Sequence, residues 1–462
     1  MSENRFKELR RNTIIIAIAT IGSKAISFIL SPMYSYYIGV DEYGIMDIVL
    51  TTVSLLIPVV TLDIFQATFR FSCDDQYSKY EVLGSSLVVS ACSIIIPIVT
   101  VIISAILNIE KIYIPVGASI YVSISAFVIV LEQYNRGINK MRVYAYGGLV
   151  NSLVLLISNL ILMVVFRYGL FGWVISFLAG KTCELLFVLV NTKLQFIKKC
   201  KFNKELFKQM LHYCIPLLPT QVMWWIMNAS DRYVLTIFSG IGVVGLYSTG
   251  SKIPHLLSMF ENIFYQSWQT SAIASKDSNE RDVFYSNIFN NYFYVLSLGV
   301  LILLTICKPV IELLWAESYG IAWLCVAPLI LSVLVHALGG NLGSFYAVFK
   351  STNGAFVTSL VGAITNLVLN FIFIPRFGFV AAACTTLVGY IASLIVRWYD
   401  VKKFVHIQLN VRKTVLYITL IVASFVLYYF NSFPSYCIRI LFMLIVAYME
   451  RKTIQSILKV KK

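Results

Sequence analysis

Four basic side chains inside long apolar runs are the residues best placed to do chemistry in this sequence: Lys24, Lys181, Arg232 and Lys252. A lone cation at the centre of a bilayer costs about 2.5–3.5 kcal/mol on insertion scales, so such a residue usually serves a partner or a ligand. Arginine binds phosphate through two parallel donors, whereas lysine acts as a point charge. Cations outnumber acids in the runs of interest, which favours an anionic ligand such as a pyrophosphate.

Polar residues form stripes of helical period around these cations, because a 3.6-residue repeat places them on one side of a helix. Two of these stripes are Gln221, Trp225, Asn228 and Arg232, and Ser248, Lys252, His255, Asn262, Gln266 and Gln269. Two interpretations remain open. The stripes either hold neighbouring helices together or line a water-filled cavity that receives a substrate. The second interpretation makes the candidate substrate-binding residues Lys24, Asn228, Asp231, Arg232, Lys252, His255 and Asn262.

The acids in these runs also have two interpretations. Asp63 and Glu261 either couple transport to an ion or neutralise Lys24 and Lys252. Lys181 and Glu184 are three residues apart, a spacing that favours an ion pair within one helix in which each charge neutralises the other. Asp231 and Arg232 are adjacent, and adjacent helical residues point about 100° apart, so we expect them to pair poorly with each other.

The elements that must position these residues are membrane-spanning helices. The chain has 462 residues, of which 59% are hydrophobic and only 13% are charged, whereas soluble domains carry about 25% charged residues. Apolar stretches long enough to cross a bilayer recur along the chain. We predict an all-α polytopic membrane protein with about fourteen spans, at 13–38, 45–71, 83–107, 113–133, 143–166, 171–195, 212–238, 241–270, 287–308, 319–349, 355–375, 378–399, 413–431 and 434–450. Gly339-Gly340-Asn341 could break the long tenth span.

The distribution of charge predicts the orientation. The formal net charge is +15, and with the N-terminus inside, Lys and Arg concentrate in the inner loops. This asymmetry follows the positive-inside rule and predicts a cytoplasmic (inner) membrane protein with both termini in the cytoplasm. Nucleic-acid binding is excluded as the reason for the charge, because the basic residues are scattered over short loops rather than gathered on one module.

The first twelve predicted spans divide into two similar halves. Arg167-Tyr168-Gly169 precedes the sixth span, and Arg376-Phe377-Gly378 precedes the twelfth. Each six-span unit begins inside, so we predict parallel repeats that enclose a central cavity. The predicted domains are an N-terminal lobe at 1–200, a C-terminal lobe at 201–411 and an appended helix pair with a basic tail at 412–462.

Several motifs suggest other chemistry and are rejected. Gly240-Ile241-Gly242-Val243-Val244-Gly245 matches a dinucleotide-binding pattern but follows no strand. Gly180-Lys181-Thr182 lacks the leading glycine of a phosphate loop. The nine cysteines form no CxxC pair. We therefore expect no metal, no cofactor and no catalytic residue, and any transport should be secondary, driven by an ion gradient, the membrane potential or the substrate gradient.

The chain resembles the polysaccharide flippases, which carry O-antigen and capsule repeat units, of the multidrug/oligosaccharidyl-lipid/polysaccharide exporter superfamily. The resemblance covers roughly residues 10–405. The matching segments are Asp41-Glu42-Tyr43-Gly44, Asp231-Arg232-Tyr233, Val244-Gly245-Leu246-Tyr247 through Lys252-Ile253, Tyr265 to Gln269, Tyr168-Gly169 and Phe377-Gly378. It implies two six-helix lobes, alternating access, a cavity lined chiefly by spans one, two, seven and eight, and an undecaprenyl-pyrophosphate-linked oligosaccharide as substrate.

Other functions are weighed against this one. Fourteen spans also occur in lipid II flippases of the same superfamily. A multidrug exporter of small cations would favour an acidic, aromatic cavity, which the buried lysines and arginine argue against. A membrane polysaccharide polymerase usually carries a large outer loop, and every outer loop predicted here is short. The expected partners are the lipid-linked oligosaccharide, membrane lipids and polysaccharide assembly proteins.

Overall fold

The computed structural model describes residues 21–74, 76–192, 199–275, 280–349, 351–451 and 455, and the chain forms two compact units, Met1–Trp225 and Ile226–Lys462. The described residues are mostly helical and contain no β-strand. The all-α prediction is therefore confirmed. The N-terminal tail with the start of the first predicted span, the basic segment 193–198 and the end of the C-terminal tail lie outside the described residues.

The first unit is built from ten helices or parts of helices. They are α1 (described over 21–37), α2 (Val40–Val60), α3 (Ile64–Ser72), α4 (Lys79–Cys92), α5 (Ile95–Ile106), α6 (Tyr113–Gly137), α7 (Met141–Asn159), α8 (Gly169–Thr192), α9 (Lys204–Cys214) and the beginning of α10 (Leu218–Ser239). A π-helical turn, Leu160–Val165, continues α7, and a 3₁₀ turn, Ile215–Leu217, joins α9 to α10.

The second unit contains the rest of α10 and six further helices. They are α11 (Ile241–Ala274), α12 (Arg281–Leu314), α13 (Trp323–Val348), α14 (Thr352–Val401), α15 (Val411–Phe430) and α16 (Phe433–Met449). A 3₁₀ helix, Glu317–Ala322, leads into α13. In α14 two helices meet at Gly378, whose φ of 59° lies in the left-handed region that glycine adopts without steric cost.

Length and hydropathy identify membrane spans among these helices. Within the described residues, nine helical segments are long and apolar enough to cross a membrane. In a bilayer every backbone N–H and C=O must be satisfied internally, which an uninterrupted helix achieves. The chain is thus a multi-pass membrane protein, and the count of fourteen spans stays a prediction.

One predicted span is divided in the structure, and a possible break in another does not occur. The run 45–71 is divided, because the chain turns between α2 and α3 with Leu62 and Asp63 at positive φ. Pro58, inside α2, cannot donate the backbone hydrogen bond that a helix needs at its position. The possible break at Gly339-Gly340-Asn341 does not occur, since α13 runs through it without interruption.

The predicted Lys181–Glu184 pair is confirmed. The Lys181 Nζ lies 2.7 Å from the Glu184 Oε2 on α8, and both side chains are largely buried. Each charge neutralises the other one turn away, which is what a helix inside a membrane requires of such residues.

Polar contacts hold the C-terminal helices α15 and α16 against the rest of the second unit. The buried Arg439 of α16 donates from Nη1 to the Leu304 carbonyl of α12, at 2.6 Å. The Tyr428 hydroxyl of α15 donates to the Trp323 carbonyl, also at 2.6 Å. Within the pair, Lys413 Nζ at the start of α15 lies 2.5 Å from the carboxylate of Glu450 at the end of α16.

Candidate functional site

A polar cavity of about 300 Å³ lies inside the second unit, between α10, α11, α13 and the second half of α14. Its lining includes five of the residues predicted from sequence to bind substrate, together with the ion-coupling candidate Glu261. The five are Asn228, Asp231, Arg232, His255 and Asn262. Two separate polar stripes, on α10 and α11, therefore face one space, which supports the cavity interpretation over the helix-glue interpretation for this unit.

Asp231 and Arg232 form the charged centre of the cavity. The Arg232 Nη1 lies 3.2 Å from the Asp231 Oδ1 and also donates to the Asn228 carbonyl, at 2.7 Å. The expectation that adjacent residues would pair poorly is wrong here, because the long arginine side chain folds back along its own helix. The guanidinium also lies over the ring of Tyr247, 5.4 Å from its centroid.

Hydrogen bonds from other helices hold Asp231 in place. Its Oδ2 accepts from the Tyr247 hydroxyl of α11 and from the Thr386 hydroxyl of α14, the latter at 3.5 Å. Asp231 is 2% exposed. A carboxylate this deeply buried needs hydrogen-bond donors around it. These two hydrogen bonds hold the Asp231 carboxylate in position, and with it the neighbouring Arg232.

A second group of buried amides and hydroxyls supports that arrangement. Asn366, in the first half of α14, accepts from Ser230 at 3.2 Å and donates to Thr386 at 3.3 Å. Asn370 donates to Asn366, at 3.2 Å. The network ties α10 to both halves of α14, and sequence analysis did not select any of its four members.

Tyr390 and His336 complete the cavity wall, and both were missed by sequence analysis. The Tyr390 hydroxyl donates to the Asn228 Oδ1 at 2.7 Å. His336 packs edge-on against the Tyr390 ring, and its Nδ1 lies 2.8 Å from the Glu261 Oε1. A lone histidine in the apolar run 319–349 was the signal for this contact, but its partner lies on another helix 75 residues earlier in the chain.

The remaining predicted site residues lie elsewhere. Lys252 is partly buried on α11 and is not part of the cavity lining, and Glu261, nine residues further on, pairs with His336. Lys24 is exposed on the described part of α1, in the first unit. Asp63 is fully buried in that unit, and neither carboxylate oxygen has a hydrogen-bond partner among the described residues. The side chains of Gln266 and Gln269 lie outside the described part of the structure.

The cavity predicts a pattern of chemical access. In a cysteine-free variant, Asn228→Cys, His255→Cys and Asn262→Cys should react with a polar thiol reagent, because all three positions are exposed to the cavity. Ile237→Cys and Phe260→Cys are matched controls on the same two helices. Both side chains are 70% exposed, and helical geometry places them on the opposite faces, so they should be inert in a membrane. Equal labelling on both faces would contradict the cavity interpretation.

The fold is similar to that of several solved membrane proteins. The lipid II flippase MurJ, in an inward closed conformation, superposes with a TM-score of 0.71 and 16% identity, over 96% of this chain and 100% of that chain. An inward-facing multidrug resistance MATE family transporter of the MOP superfamily gives 0.70 and 13%, over 82% and 94%. A variant of the Vibrio cholerae MATE transporter VcmN gives 0.61 and 13%, over 86% and 96%. These likenesses show the fold alone: a helical membrane-protein fold like that of the MurJ and MATE structures.

The family follows from the sequence itself. A family model described as "Polysaccharide biosynthesis protein" matches residues 9–269, more than half of the chain. The chain belongs to this family. No curated protein matches the sequence. The resemblance inferred from the turn and helix motifs is confirmed.

Proposed function

We propose that the protein is a flippase that moves undecaprenyl-pyrophosphate-linked oligosaccharide repeat units, as used for O-antigen or capsule, across the cytoplasmic membrane by alternating access. The observation that carries the proposal is a polar cavity centred on Arg232 in a chain of the polysaccharide biosynthesis family. A guanidinium with donors in a planar fork suits a pyrophosphate. The amide, hydroxyl and imidazole groups around it suit sugar hydroxyls.

The other predicted residues enter the proposal with distinct roles. Lys24 and Lys252 would meet the pyrophosphate at other stages of its passage. Asp63 and Glu261 remain the candidates for ion coupling, and burial of Asp63 without a partner supports that role for it. The lobes at 1–200 and 201–411 would alternate access, the helix pair at 412–462 would be appended to the second, and assembly proteins of surface polysaccharides would receive the product.

A transport assay distinguishes the candidate cargoes. Reconstituted in vesicles, the protein should translocate an undecaprenyl-pyrophosphate oligosaccharide and leave a small organic cation unmoved. Lipid II is the second candidate cargo, because the MurJ structure covers nearly the whole chain. Translocation of lipid II alone would show that the cargo is a peptidoglycan precursor instead. Export of the cation alone would contradict the proposal altogether, and elongation of the oligosaccharide would identify a polymerase instead.

The orientation is tested separately. Reporter fusions at Lys199 and Lys402 should report the cytoplasm, and a fusion at Gly240 should report the outside, because inner loops carry the excess of Lys and Arg. A cytoplasmic signal at all three sites would show that the loop between α10 and α11 does not cross. An outside signal at Lys199 would reverse the assignment of the halves.

A further inference from the structure

The segment that precedes and forms α9 carries a dense positive charge. Between residues 199 and 214 the chain has four lysines and one glutamate. We call Lys199, Lys201, Phe202, Lys204 and Lys208 the basic linker. All five side chains are exposed, and nothing in the proposed transport cycle uses them.

The helix beneath this charge is firmly packed. Leu206, Met210 and Cys214 are spaced four residues apart on one face of α9, are almost fully buried, and join the core formed by α3, α4 and α6. The opposite face carries Lys204 and Lys208, one turn apart. This is the pattern of an amphipathic helix with a basic outer face.

The approach to α9 is fixed as well. The Asn203 side chain caps the helix by accepting from the backbone N–H groups of Glu205 and Leu206, at 3.1 and 3.2 Å. Its Nδ2 donates to Glu81 on α4, at 2.7 Å. A Cβ added at Gly84 would collide with the Lys201 backbone, so only glycine allows the linker to lie this close to α4.

These contacts set the depth of the linker relative to a membrane. The segment Lys79–Ile106 is a candidate span, and Gly84 and Ser85 lie five and six residues inside it. At 1.5 Å per residue that is about 8–9 Å along the helix from its first residue, near the end of the candidate span, where interfacial helices lie between headgroups and acyl chains. The linker thus lies beside the first turns of a span rather than beyond its end.

An aromatic side chain beside the lysines fits the same position. Phe202, between Lys201 and Lys204, is 52% exposed. An exposed ring flanked by lysines is typical of the membrane–water interface, where the ring enters the acyl boundary and the ammonium groups reach the headgroups.

We propose that the basic linker is a binding surface for anionic phospholipid headgroups, so that the connection between the two halves of the chain is anchored to acidic lipids. The partner is identified by charge complementarity and depth. Four ammonium groups at headgroup level attract phosphatidylglycerol over a zwitterionic lipid of the same chain length. The inference goes beyond the proposed cargo and holds whichever lipid-linked sugar is carried.

The test uses the full chain in nanodiscs, with a fluorophore attached to Gln209→Cys in a variant whose native cysteines are replaced. Phosphatidylglycerol carrying a quencher should quench this fluorophore at about a tenfold lower mole fraction than phosphatidylcholine carrying the same quencher. Replacing Lys199, Lys201, Lys204 and Lys208 together by Gln should remove the difference, and replacing them by Arg should keep it. High salt should reduce it, and millimolar inorganic phosphate should leave it unchanged.

A control and a second readout complete the test. Lys402→Gln with Arg412→Gln, which removes two exposed charges from the second unit, should leave the preference intact. In the unlabelled full chain, phosphatidylglycerol should raise Tm in the parent and not in the four-Gln variant. Equal quenching by both lipids in the parent, or competition by inorganic phosphate, would overturn the proposal. Absence of quenching by either lipid would do so too, because it would place α9 outside the interface.

Discussion

Arg232→Gln is expected to lower transport of the lipid-linked oligosaccharide about ten- to a hundredfold while leaving insertion and abundance normal. Glutamine keeps a polar side chain of similar reach but removes a charge-assisted hydrogen bond, which is worth about 1.5–3 kcal/mol. Asp231 stays hydrogen-bonded to Tyr247 and Thr386 in the variant, so the cavity wall should persist. Arg232→Lys should keep part of the activity, because an ammonium cannot bind phosphate as a fork. The measurement is initial transport rate in vesicles, normalised to protein.

Two comparisons separate substrate binding from charge balance. Arg281 and Asp282 are also adjacent, with the same 3.2 Å contact, but are not part of the cavity lining. Arg281→Gln should therefore leave transport nearly unchanged. If Arg232 only balances the neighbouring acid, Arg232→Gln combined with Asp231→Asn should restore transport. Full recovery in that double variant would remove Arg232 from the substrate site.

Gly389→Ala should destabilise the protein by roughly 1–3 kcal/mol, the usual cost of overpacking. A Cβ at Gly389 would lie 2.8 Å from the Asn366 Cβ and 3.1 Å from the Gly362 carbonyl oxygen. The two halves of α14 therefore touch through their backbones, as small residues allow in membranes. Separating them would also displace Asn366 from Ser230 and Thr386, so transport should fall together with Tm in detergent.

Gly148→Ala is the matched control for this change. Gly148 lies inside α7, and a Cβ there would meet nothing within 4 Å. Alanine is the better helix former by roughly 0.5–1 kcal/mol, so the expected effect has the opposite sign. A Gly389→Ala protein as stable as Gly148→Ala would show that the halves of α14 are not in close contact.

The fold could be predicted from sequence largely because a bilayer admits few structures. Long apolar runs must be helical there, and the end of the helix at Gly378 was anticipated by the predicted span boundary at 378. The turn at Leu62 and Asp63 was not anticipated, because the run 45–71 stays apolar through it. Pro58 is the one sequence signal for an interruption of this helix, and a proline inside a membrane helix often leaves the helix continuous.

The site could be predicted only one helix at a time. Periodicity placed Asn228 and Arg232 on one face of α10, and His255 and Asn262 on one face of α11, and the structure brings these faces together. The periodicity of one helix does not predict which face of another helix packs opposite its polar face. His336 and Tyr390 reach the site from α13 and α14, and Asn366 supports it from α14. The sequence does carry a polar stripe of helical period on α14, at Thr386, Tyr390, Ser393 and Arg397, but it was not selected as a candidate.

The attachment of α15 and α16 to the second unit also sets an order in biosynthesis. Leu304, which accepts from Arg439, is synthesised 135 residues earlier. At about 5–20 residues per second, roughly 7–27 s separate the two. During that time the surface of α12 that α16 will cover faces lipid or the insertion machinery. All helices of the first unit are made while translation continues, whereas α12 of the second unit acquires its contact with α16 only after α16 has been made.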